Sequence, residues 1–191
     1  MDYELRFNGD AGLQLEQTDK GKRVSGYAIV FNSRSHLLFD KKRGEFFEVV
    51  KPEAVNRTFD SDTEVWVYDE HDSKRRLGRR NAGTAKFTID QRGVKVEVDL
   101  PDTTVGRDVA AGIEHGDYKG MSFNFGTVKD KWSTENGVRV RELLDIVVPE
   151  VSVVGEPAYP DTSVALRSYQ EAQKSEAPDN LLTAKLDLMK L

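Results

Sequence analysis

The chain contains no cysteine. Disulfide staples, a thiol nucleophile and thiolate metal sites are therefore excluded. Histidine is scarce: His36, His71 and His115 are the only three, too few for a His-rich metal site. No run approaches the roughly 18 apolar residues that span a bilayer as a helix. The opening MDYELRFNGD lacks the apolar core of a secretory signal. Positive charge is outnumbered, 28 Lys and Arg against 33 Asp and Glu, for a net charge of −5. That balance argues against general nucleic-acid binding, which rests on clustered positive charge. The scattered acidic residues show no metal-ligand spacing. The expectation is a soluble protein made and used in a cytoplasm, with no nucleic-acid and no membrane partner.

What is present is enough apolar character, 38% of 191 residues, to build one domain core. Short apolar runs alternate with Gly, Asp and Asn. Strands are expected over residues 3–7, 25–31, 46–49, 64–68, 85–89, 94–100, 121–128, 139–148 and 151–154. In one of them Val94, Val96, Val98 and Leu100 alternate with Lys95, Glu97 and Asp99, one set for the core and one for solvent. Asp90-Gln91-Arg92-Gly93 before it reads as a hairpin turn, with Gly93 free to take a positive φ. A short helix is expected at 52–59, with Pro52 in its first turn. A second is expected at 104–114, where Val105, Val109 and Ile113 form one stripe and Gly116 sits at the C-cap. The fold class is thus mainly β with a few helices.

The end of the chain differs. A domain over 1–167 is followed by a polar linker, 168–180 (SYQEAQKSEAPDN), and an amphipathic segment, 181–191 (LLTAKLDLMKL). Leu182, Leu186 and Met189 share one face. Eleven residues are marginal as an isolated helix, so the segment is expected to pack on the domain, a partner or its own copy.

Three places can carry chemistry. The strand in Val65-Trp66-Val67-Tyr68-Asp69-Glu70-His71-Asp72 delivers His71 into a polar loop, where an imidazole can serve as a general base. In Lys119-Gly120-Met121-Ser122-Phe123-Asn124-Phe125-Gly126, the bulky Met121, Phe123 and Phe125 take one face. Ser122, Asn124 and Gly126 take the other. A serine on such a rigid element, with small neighbours leaving room for substrate, meets a nucleophile's need for fixed placement. The third is Pro149-Glu150-Val151-Ser152-Val153-Val154, where a carboxylate on a sheet can orient an imidazole. Each has an ordinary structural reading as a loop histidine, a strand serine and a solvated edge glutamate. No G-x-S-x-G elbow is present. Lys74, Arg75, Arg76, Arg79 and Arg80 crowd the segment after His71. They read as a solvated loop or, secondarily, as a patch for an acidic partner. His36 reads as a loop residue. His115, at a helix end, reads as structural.

The order of these segments resembles the tailed-phage prohead proteases, capsid-maturation serine proteases related to herpesvirus assemblin. The resemblance runs over roughly 3–167. It is carried by Gly26-Tyr27-Ala28-Ile29-Val30-Phe31, Phe47-Glu48-Val49-Val50-Lys51-Pro52, and Asp69-Glu70-His71-Asp72 with Leu77-Gly78-Arg79. It continues through Leu100-Pro101-Asp102-Thr103, Gly120-Met121-Ser122-Phe123, and Glu150-Val151-Ser152-Val153-Val154 with Pro157-Ala158-Tyr159-Pro160. Glu156 departs from the pattern, which favours a small or apolar residue there.

The resemblance implies a herpesvirus-protease-like β-barrel and a serine endopeptidase that needs no cofactor and no metal. It makes Ser122 the nucleophile, His71 the general base and Glu150 the third, orienting member, with Asp145 as the other acidic option. Arg139 and Arg141 are candidates for oxyanion stabilisation. The implied partners are the major capsid protein with its scaffold segment, the protease itself by autocleavage or homo-oligomerisation, and the portal and procapsid shell. The implied location is the host cytoplasm, inside the procapsid. Competing readings are an inactive scaffold-like shell protein, a β-rich ligand-binding domain and a β-hydrolase of another class. A binding domain would line a groove with exposed aromatics, which here mostly alternate inward.

Overall fold

A computed structural model of the chain describes residues 3–155. The linker 168–180 and the segment 181–191 lie outside them, as do Glu156, Pro157 and Pro160. The mainly β expectation is what the chain adopts. Among the described residues, eleven strands run β1 (Tyr3–Asn8), β2 (Gln14–Thr18), β3 (Gly21–Val30), β4 (Leu38–Asp40), β5 (Gly44–Val50), β6 (Trp66–Asp69), β7 (Asp72–Arg79), β8 (Ala85–Ile89), β9 (Gly93–Asp99), β10 (Gly120–Glu135) and β11 (Val138–Val154). A 3₁₀ turn (Pro52–Val55) leads into a one-turn helix, α1 (Asn56–Phe59), and a longer helix, α2 (Thr104–His115), precedes β10.

The strands form two sheets. One has seven strands, in the order β1-β10-β11-β5-β4 with β6 and β7 added on β11; the other is β2-β3-β9-β8. Both contribute to one core. Val94, Val96 and Val98 of β9 are fully buried, as the alternation requires, beside Ile29 of β3, Val67 of β6 and Val151 and Val153 of β11. Burying each such side chain stabilises the fold by about 1.5–3 kcal/mol. Gly93 does not adopt a positive φ. Its hydrogen side chain answers another need, because a Cβ there would lie 1.9 Å from the Ile29 carbonyl oxygen. Helix α2 starts with the Thr103 side chain accepting from Gly106 N–H and ends at Gly116 with φ +89°, a left-handed C-cap.

The long strand β11 organises the seven-stranded sheet. On one side it pairs antiparallel with β10. On the other it pairs in parallel first with β5, over 139–143, and then with β6, over 150–153. Expected as two strands, it is continuous because the gap between those partners is bridged. The hydroxyl of the buried Thr58 in α1 accepts from Val148 N–H at 3.0 Å. Pro149 has no N–H to satisfy, and it sits where the β10 register slips between Asn124 and Gly126. A proline is tolerated at such a bulge.

The basic segment after His71 is strand β7, not a loop. Arg75 pairs with Asp69, and the guanidinium groups of Arg76 and Arg79 lie over the Trp66 ring. Arg80 donates to the carbonyls of Thr58, Phe59, Ser61 and Thr63, which closes the α1 turn. These cations have local structural partners.

Candidate active site

Cross-strand partners in a sheet share a face. Phe7 of β1 pairs with Ser122 of β10, Ser122 with Ser152 of β11, and Ser152 with Tyr68 of β6. The adjacent row on that face is Leu5, Asn124, Glu150 and Trp66. Ser122 and Glu150 therefore lie on one face of the sheet, on neighbouring strands. Their alternates Met121, Phe123, Val151 and Val153 fill the core on the other.

His71 reaches this face from the β6–β7 hairpin. Asp69 pairs with Asp72, so the loop is the two residues Glu70 and His71, with φ +50° and +59°. Two left-handed residues make the turn that suits a twisted hairpin, a place usually taken by Asn-Gly. Non-glycine residues there cost of order 1–3 kcal/mol each. Five hydrogen bonds offset that cost. Glu70 N–H donates to Val153 O, and the Glu70 carboxylate accepts from Gly155 N–H. His71 N–H donates to the Ser152 hydroxyl at 3.2 Å. The fully buried Asp69 accepts from Tyr118 Oη at 2.7 Å and Arg75 Nε at 2.6 Å. Burial and the bond to Asp69 push the Tyr118 phenol well above its ordinary range, so it remains a donor.

The His71 ring meets Glu150: Nδ1 lies 2.7 Å from Oε1. A carboxylate has no proton to give, so Nδ1–H donates, which leaves Nε2 as the free acceptor. Glu150 is buried at 7% exposure in the middle of the sheet, not on a solvated edge. Its second oxygen accepts from the Ser152 hydroxyl at 2.9 Å. Asp145, the other acidic option, lies five positions back along β11. Arg57 binds both of its oxygens and holds its carboxyl below the ordinary carboxylate range.

Ser122 is fully buried, and its hydroxyl donates to Arg6 O at 2.9 Å. The room for substrate expected around it is absent in this arrangement. His71 Nε2 and Asn124 Oδ1 are buried atoms without a hydrogen-bond partner. Arg139 and Arg141 are elsewhere. Arg141 is nine positions from Glu150 along β11, roughly 30 Å of extended strand, and is enclosed by Glu4, Glu48 and Asp130. Arg139 donates to Arg43 O. His36 and His115 are exposed and do not join the face. Among the described residues, no cluster of three or more His, Cys, Asp or Glu side chains is disposed to hold a metal ion. Sequence reading passed over Ser152; its only signal was its place two residues after Glu150, on the same strand face.

A family model, the caudovirus prohead serine protease, matches residues 11–175. The chain belongs to that family. Membership makes it a prohead protease, acting in capsid maturation on capsid proteins, in the procapsid within the host cell. No curated protein and no solved structure matches the chain. No helix among the described residues is long and apolar enough to cross a membrane.

Proposed function

We propose that this prohead protease is a serine endopeptidase with Ser122 as nucleophile, His71 as general base and Glu150 as the orienting carboxylate. It cleaves the scaffold segment of the major capsid protein and its own chain. The observation that carries the reading is the 2.7 Å contact between His71 Nδ1 and Glu150, made on the same sheet face as Ser122. The carboxylate selects the tautomer whose Nε2 can accept a proton. Once the Ser122 hydroxyl turns from Arg6 O to Nε2, the base removes its proton and Oγ attacks the peptide carbonyl. His71 returns the proton to the leaving amine, an acyl-enzyme forms, and water activated by the same imidazole releases the acid and regenerates Ser122. The domain carrying this chemistry spans 1–167, and the linker 168–180 joins it to the amphipathic segment 181–191, a docking or self-association piece.

The test is intact-mass analysis of the purified chain over time, wild type beside Ser122→Ala, alone and co-expressed with capsid protein. Fragments in the wild type alone are expected, and their new ends give the cleavage preference. Fragments in both overturn Ser122 as nucleophile. The burial of Ser122 against Arg6 favours a second reading, an inactive shell-interior protein that kept the fold. That reading predicts no fragments under either condition.

A further inference from the structure

The Ser152 hydroxyl joins the two groups on which His71 depends. It is fully buried. It donates to Glu150 Oε2 at 2.9 Å and accepts from the main-chain N–H of His71 at 3.2 Å. Glu150 in turn accepts from His71 Nδ1 at 2.7 Å. The hydrogen bonds close a ring: His71 main chain, Ser152, Glu150, His71 imidazole. We propose that Ser152 is a positioning residue that sets the imidazole for proton transfer, acting through both the carboxylate and the backbone of His71.

Two physical needs converge on this hydroxyl. A buried carboxylate with an unpartnered oxygen is free to rotate about its terminal torsion, a broad well, and carries an uncompensated lone-pair edge. Donation from Ser152 fixes the plane that meets Nδ1. His71 also holds a left-handed φ of +59°, a conformation retained only when its surroundings over-determine it. Acceptance from its N–H ties the turn to β11. Because Ser152 and Glu150 are alternate residues of one strand, the carboxylate and the turn are referenced to the same rigid element, as a precise site requires. Ser152 touches no reacting atom. It is also distinct from Ser122: its hydroxyl proton is committed to Glu150 and its oxygen accepts from His71 N–H, so it is not poised to give its proton to Nε2.

The proposal rests on the assignment of His71 and Glu150 above, and its test separates the two. The full-length chain with Ser122→Ala, which removes self-cleavage, is examined by proton NMR for the low-field Nδ1–H resonance of His71. The resonance is assigned by its loss in His71→Gln. Adding Ser152→Ala is expected to shift it by more than about 0.5 ppm or to abolish it by exchange with water. Adding Ser152→Thr, which keeps the hydroxyl, is expected to restore it. Circular dichroism reports whether each variant folds; if the extra methyl of threonine is not accommodated, the alanine arm alone decides. In the otherwise wild-type chain, Ser152→Ala is expected to lower kcat by roughly 10- to 100-fold, by analogy with removing the hydrogen-bond partner behind a metal-ligating histidine, with KM within threefold. An unchanged resonance in folded Ser152→Ala overturns the proposal, even if activity falls, because the loss would then be one of general stability. Proteolysis that survives Ser122→Ala overturns Ser122 as the nucleophile instead, and the resonance still reports on Ser152.

Discussion

The Ser122 hydroxyl donates to the main-chain oxygen of Arg6, 2.9 Å away on β1, and His71 Nε2 has no hydrogen-bond partner. His71 and Glu150 are already joined, and in the proposed mechanism the Ser122 hydroxyl must exchange Arg6 O for Nε2. The proposed nucleophile is therefore held by the N-terminal strand. A fluorophosphonate probe is expected to add once, at Ser122, with a mass increase that Ser122→Ala lacks. His71→Ala should slow that addition by about 100-fold or more, the usual contribution of a general base. Labelling at another serine would displace the assignment.

The two acidic candidates on β11 make opposite predictions. Glu150→Gln leaves an amide that presents the wrong hydrogen-bonding pattern to Nδ1–H and Ser152, and is expected to lower kcat by about 10²- to 10⁴-fold. Asp145→Asn only weakens the contact with Arg57, and its kcat should stay within about twofold, as for a surface ion pair remote from chemistry. Steady-state cleavage of a capsid-protein peptide compares them directly.

That distinction also marks how far the sequence could be read. The alternation of Val94, Val96 and Val98 made β9 legible, and the Val105, Val109, Ile113 stripe with Gly116 made α2 legible. Both signals are local. The choice between Glu150 and Asp145 is not local: it turns on Arg57, 88 positions from Asp145, and on His71, 79 positions from Glu150. Strand β7 was hidden for the same reason. Its arginines look like a solvated run until Asp69, Trp66 and the carbonyls of α1 are brought against them. The side of the sheet on which Ser122 lies followed from alternation. That β1 would lie alongside it did not, because strand pairing over more than 100 residues leaves no periodic trace.

Tyr118→Phe tests the buried support under the histidine turn. It removes one of the two donors to Asp69, a carboxylate with no solvent exposure. A loss of about 1–3 kcal/mol in urea unfolding is expected, the cost of leaving a buried acceptor under-satisfied. A change within 0.5 kcal/mol, the ordinary range for surface substitutions, would mean that Arg75 alone suffices.

Stability should fall in acid through identifiable pairs. Hydrogen bonding to Arg57, Arg23 and Lys51 holds Asp145, Asp99 and Glu142, respectively, below their ordinary values. A depressed carboxylate contributes stability above the unfolded value, near 4, and loses it as pH falls through the folded value. Thermal melts of Arg57→Gln should lie below wild type at pH 6 and converge on it below about pH 3. A gap that persists in acid would show that Arg57 contributes by packing.

Gly93→Ala places a methyl group 1.9 Å from Ile29 O, against main chain that cannot yield cheaply. A destabilisation of at least about 2 kcal/mol is expected by denaturant unfolding.

The far end of the β10–β11 ribbon offers a handle on the molecule. Glu135 pairs with Val138, so Asn136 and Gly137 alone turn the chain, both at positive φ. Glu135 lies thirteen positions along β10 from Ser122, roughly 40 Å of strand. A fluorophore, affinity tag or small inserted domain placed at this tip would sit far along the ribbon from the proposed catalytic residues. It would let the protease be followed into a closing shell by microscopy or cross-linking, while the chemistry proceeds at the other end of the same two strands.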